Sequence, residues 1–82
     1  MAGCVKSVIL DVPYDRVRSR LDRRFTSDSF YKIVPVGGEF SAYVAFENCH
    51  KGTRMKVARW AEPDVMEYLS KKLGRSVTAL AD

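Results

Sequence analysis

The stretch Phe30-Tyr31-Lys32-Ile33-Val34-Pro35-Val36-Gly37-Gly38-Glu39-Phe40-Ser41-Ala42-Tyr43-Val44-Ala45-Phe46-Glu47-Asn48 decides the fold, because two alternating runs flank Gly37-Gly38. The tightest hairpin turns need positive φ at their central positions, which glycines accept without strain. A turn centred on them pairs Val36 with Glu39, Val34 with Ser41, Lys32 with Tyr43 and Phe30 with Ala45. In that register Tyr31, Ile33, Pro35, Phe40, Ala42, Val44 and Phe46 form the core face. Phe30, Lys32 and Tyr43 then point outward. A sheet face that leaves aromatic and basic groups uncovered calls for a ligand or a partner.

Upstream of the hairpin, Cys4 to Asp11 is short and β-branched and reads as a first strand. Pro13 suits the first turn of a helix, where its missing N–H is no loss. Tyr14, Val17, Leu21 and Phe25 recur at helical spacing as that helix's apolar stripe. Thr26-Ser27-Asp28-Ser29 ends it. Downstream, Asn48 to Gly52 reads as a turn. Thr53 to Ala61 alternates as a short extra strand does, with Met55 and Val57 opposite Lys56, Ala58 and Trp60; a helix is the other reading. Glu62 to Leu73 carries Pro63 at its start, acids in its first turn, Lys71 and Lys72 in its last, and Gly74 as terminator. Ser76 to Leu80 closes the chain as a strand.

The expected fold class is α+β: a ferredoxin-like split βαβ sandwich, βαββαβ, with an antiparallel sheet, two helices on one face and room for one extra short strand over 53–61. Its core is expected to hold Val17, Leu21, Phe25, Ile33, Phe40, Val44, Phe46, Met66 and Leu69. The 82 residues make a single domain over 1–82. At 46% hydrophobic and 29% charged, the chain has a globular composition. No apolar run approaches the ~20 residues that span a bilayer. The N-terminus shows neither a secretory pattern nor a myristoylation pattern, so an intracellular, cytoplasmic protein with no membrane association is expected.

The net charge of +4 permits a polyanionic partner without requiring one. The first helix is crowded with arginine. At 100° per residue Arg16, Arg20 and Arg23 share a flank, with Arg24 adjacent. A guanidinium fork grips phosphate or carboxylate with two hydrogen bonds, so the flank reads as an anion-binding surface for nucleic acid or an acidic protein. The alternative is a solvated helix face, partly neutralised by Asp15 and Asp22.

In the expected strand order, the start of the first strand lies beside the end of the third. That brings Cys4 near Cys49, with His50 adjacent, as the beginning of a zinc or copper site without an evident fourth ligand. Two unbridged thiols are the other reading. No cofactor is expected. A lone histidine in a turn, without a nucleophile at a recognisable spacing, points away from an enzyme and from a small-molecule substrate. Gly37-Gly38 precedes a strand, so it offers no helix N-terminus to a phosphate.

Glu39-Phe40-Ser41-Ala42-Tyr43-Val44-Ala45-Phe46 resembles the third-strand pattern of the RNA-recognition motif in its last five positions. Val8 to Asp15 is similar to that family's first strand and its exit into the first helix. Glu39 stands where the pattern has a basic residue, Phe40 where it has glycine and Ser41 where it has the first stacking aromatic. The first-strand aromatic falls at Val8. Of the family's stacking residues, the resemblance leaves Tyr43. It implies a module that binds nucleic acid, single-stranded RNA above all. Tyr43 and Phe30 would stack bases, Lys32 would meet a phosphate, and Arg16, Arg20, Arg23 and Arg24 would supply attraction. A protein-interaction or dimerisation module using the same sheet face is the alternative.

Overall fold

The computed structural model describes residues 5–21 and 27–80. Strand β1 (Val5–Leu10) leads into helix α1 (Tyr14–Leu21). Three strands follow: β2 (Ser29–Gly37), β3 (Phe40–Cys49) and β4 (Gly52–Ala58). A 3-10 turn (Arg59–Ala61), helix α2 (Glu62–Leu73) and the short strand β5 (Ala79–Leu80) complete the chain. The strands form a 5-stranded antiparallel sheet in the order β2-β3-β4-β1-β5.

This is not the ferredoxin-like split βαβ sandwich expected from the sequence. That order needs β1 beside β3, whereas β4 lies between them and pairs with both. The physical reason is the turn at His50 and Lys51. Cys49 pairs with Gly52 across it, so β4 must fold straight back onto β3. β2, β3 and β4 thus form a meander, and β1 docks on its far side. The stretch read as a short extra strand is a central strand as far as Ala58. Its Thr53, Met55 and Val57 are buried, and the chain then turns through Arg59–Ala61 into α2. The first strand and α2 lie close to where the sequence places them, but the closing strand is only Ala79–Leu80.

The hairpin turn is displaced by one residue. Gly37 pairs with Phe40, and both Gly37 and Gly38 have positive φ, 115° and 55°. The ladder shifts between Pro35 and Gly37, leaving Val36 as an extra residue in β2. A bulge of this kind reverses the side-chain faces of the strand beyond it. Phe30 now pairs with Phe46 and Val34 with Ala42, and all four are buried. Ile33 and Phe40, expected in the core, are exposed, and Met66 is half-buried. Phe25 lies outside the described residues. The β3 faces are as the sequence implies, with Ala42, Val44 and Phe46 inside and Tyr43 out.

One buried cluster joins Val17 and Leu21 of α1, Val65, Leu69 and Leu73 of α2, and Val8, Leu10, Val44, Met55 and Val57 of the sheet. Phe30 packs between Tyr14 and Phe46, at ring separations of 6.0 and 5.0 Å. Burial pushes the Tyr14 phenol above its usual pKa, and its hydroxyl donates to the Ser27 carbonyl at 2.7 Å. Asp11 anchors the last segment. Its carboxylate accepts from the Thr78 N–H at 3.0 Å and meets Arg75 at 3.0 Å.

Thr53 is the buried polar residue among the described residues, and its hydroxyl donates to the Val12 carbonyl at 2.8 Å. Thr53→Val keeps the shape but leaves that carbonyl without its donor. We expect a loss of about 1–3 kcal/mol in urea denaturation. Unchanged stability would mean that another donor reaches Val12.

Candidate binding face of the sheet

Side chains alternate across a strand, so the residues between the buried ones share the face turned away from the core. On β2 these are Tyr31, Ile33 and Pro35. On β3 they are Ser41, Tyr43, Ala45 and Glu47, on β4 Arg54, Lys56 and Ala58, and on β1 Val5, Ser7 and Ile9. The ladders set them in rows. Tyr31 pairs with Ala45, Ala45 with Lys56, and Lys56 with Ser7. In the neighbouring row Ile33 pairs with Tyr43, and Val5 with Ala58.

Tyr31 and Tyr43 stack on each other, with centroids 5.1 Å apart and planes 11° from parallel. Tyr31, Tyr43, Ile33 and Val5 are 61%, 67%, 62% and 64% exposed. The two rings restrain each other, so this aromatic block is held in place before anything binds to it. Charge on the face is sparse and of both signs. Arg54 meets Glu47 at 3.3 Å and donates to the Ser7 hydroxyl at 3.4 Å, and exposed Lys56 lies one ladder step away. Ile9 is buried on this side beside its ladder partners Arg54 and Leu80.

The residues singled out in the sequence do not assemble into one site. Tyr43 is on the open face, but Phe30 is in the core and has no ring face to offer. Lys32 points to the same side as Phe30, where its ammonium donates to the Leu21 carbonyl at 3.3 Å. A cation there complements the negative end of α1. Arg16 and Arg20 are exposed on α1, whose Val17 and Leu21 pack into the core, so they lie across the sheet from Tyr43. Arg23, Arg24 and Cys4 lie outside the described residues.

Cys49 is a half-buried free thiol, and His50 is exposed in the β3–β4 turn. Both line an open cleft of about 360 Å³ with Asp11, Asp15, Lys51 and the start of α1. The strand order that was to bring Cys4 to Cys49 is absent. Val5 pairs with Ala58, at the far end of β4 from Gly52 and Cys49. Among the described residues, no group of three or more histidine, cysteine, aspartate or glutamate side chains is arranged to hold a metal. No helix among them is long and apolar enough to cross a membrane.

The sequence pattern does not mark Tyr31, Ile33 and Lys56 as residues of the open face. Pro35 is the signal that could have revealed the first two, since proline within a strand marks an edge or a bulge. A bulge between Pro35 and the glycines puts Tyr31 and Ile33 outside.

No protein-family model, no curated protein and no solved structure matches this chain. The likeness to the RNA-recognition motif therefore rests on Glu39–Phe46 and Val8–Asp15 alone.

Proposed function

We propose that this chain is a non-enzymatic protein-interaction module that works through the outward face of its sheet. The observation behind this reading is the composition of that face: Tyr31, Ile33, Tyr43 and Val5 are more than half exposed, beside three charged side chains of mixed sign among the described residues. Aromatic side chains carry roughly 150–250 Å² each, so the two tyrosines expose about 200–300 Å². Ile33 and Val5 add roughly 100 Å² on transfer-area bookkeeping. A patch of this size is in the range of the largest apolar patch on a typical monomer, which is often functional. Aromatic enrichment with few charges is also the make-up of an interface centre.

A photoreactive benzoylphenylalanine placed at position 43 in the living cell tests the reading. It should crosslink to protein, giving adducts that protease destroys and nuclease leaves intact. The same group at position 20, on the far side of the sheet, should not give those adducts. Nuclease-sensitive adducts at position 43 would overturn the proposal.

Single-stranded nucleic acid is the second reading, favoured by the stacked tyrosine pair lying beside Lys56. It predicts that Tyr43→Ala weakens binding of labelled single-stranded RNA by ~1–3 kcal/mol in fluorescence anisotropy. The dependence on salt should stay nearly unchanged, because a stacked ring releases no counterions. The face itself argues for the first reading. Two cations and one carboxylate supply little of the phosphate attraction on which single-strand affinity rests.

A further inference from the structure

We infer that the protein seated on this face is a second copy of the chain, the two sheets packing face to face about a twofold axis. This rests on the reading of the face as a protein interface. A standard interface covers about 800 Å² per partner, and in homodimers about 65% of it is apolar, or roughly 500 Å². The four exposed apolar side chains supply about 300–400 Å² of that. Exposed Pro35 and half-buried Ala45 lie among them on the same face and add to it. The area approaches what a standard-size dimer interface needs.

The charges fit a copy as well. A twofold interface sets one patch against itself, so a face of a single sign repels its twin. This face carries Glu47 together with Arg54 and Lys56. A partner copy can set its own Glu47 against Lys56, which lies on the central strand.

The other route to a dimer, extension of the sheet, is obstructed along β2. In β2, Pro35 lacks a donor, Val36 is a bulge and Lys32 turns its charge inward. Each is a device that keeps strand edges from pairing. On the opposite side β5 is short and pairs only with Ile9 and Leu10 of β1. The β2 edge is guarded and the face is not.

Sedimentation equilibrium of the full chain, from micromolar to submillimolar concentration and at low and high salt, tests the inference. The parent should reach twice the chain mass, and high salt should maintain or strengthen the dimer, as apolar burial requires. Ile33→Glu and Tyr43→Lys alter exposed positions and should leave the circular dichroism spectrum unchanged, with a melting transition equal to the parent's once both are diluted to monomer. Each should raise the dimer dissociation constant at least about tenfold. A parent dimer that neither variant weakens overturns the inference, and so does a parent that stays monomeric. In the monomeric case, iodination of Tyr31 and Tyr43 separates the two readings. Protection by cell extract in the parent but not in Ile33→Glu leaves the protein-interface reading standing without the second copy. Equal iodination in both overturns both.

Discussion

Phe46→Ala should lower stability by about 3–5 kcal/mol, as expected for a fully buried aromatic side chain cut back to a methyl group. Phe46 has no exposed surface, stacks on Phe30 at 5.0 Å and 22°, and lies in the cluster that both helices share with the sheet. A domain of this length holds roughly 4–12 kcal/mol in all. The variant should therefore be partly unfolded at room temperature, or have a urea midpoint lower by at least about 1.5 M. Two companion variants read out the bulge. Phe30→Ala should cost nearly as much as Phe46→Ala, because each ring is the other's neighbour. Ile33→Ala should change stability by no more than about 0.5 kcal/mol, as for other exposed positions. The hairpin without a bulge gives the reverse ranking for Phe30 and Ile33, so these two melting curves decide the register.

Gly52→Ala should be nearly as damaging, at about 3 kcal/mol or more, from a single methyl group at a half-buried position. Gly52 opens β4 with φ at 145°, a conformation that costs a side-chain-bearing residue about 1–3 kcal/mol. Space is lacking as well. A methyl there would run into the Leu10 carbonyl oxygen and lie 3.3 Å from that of Val12, and both obstacles are backbone. Relief requires β1 and β4 to part at the place where Thr53 holds the Val12 carbonyl. The effects of Gly52→Ala and Thr53→Val should therefore not be additive, because both disturb one joint. Chemical denaturation of the two single variants and the double variant measures the coupling. A Gly52→Ala protein as stable as the parent would mean that the strands separate there at little cost.

Parts of this architecture are legible without coordinates because their causes are local. Helix α2 runs from Glu62 to Leu73, as Pro63, the charges at its ends and Gly74 imply. The β3 faces follow from alternation alone. The face of β2 does not, because one unpaired residue at Val36 inverts it. Whether that residue is accommodated depends on partners distant in sequence: Phe30 gains the rings of Tyr14 and Phe46, and Lys32 gains the end of α1. The candidate site is hidden for the same reason. Alternation without the bulge puts Phe30 and Lys32 on the open face, which Tyr31 and Ile33 occupy.

The amino-acid sequence by itself determined the identity of most elements, the bounds of α2, the meander's first turn to within a residue and the outward position of Tyr43. Propensity, capping and alternation act over a few residues and need no knowledge of the rest of the chain. The tertiary structure alone decided the strand order, the parity of β2 and the partners on each face. A tight turn at His50 and Lys51 seats β4 where β1 was expected, and a bulge at Val36 selects which aromatic rings are buried. Both outcomes are set by burial summed over residues far apart in sequence, a quantity that no local pattern contains.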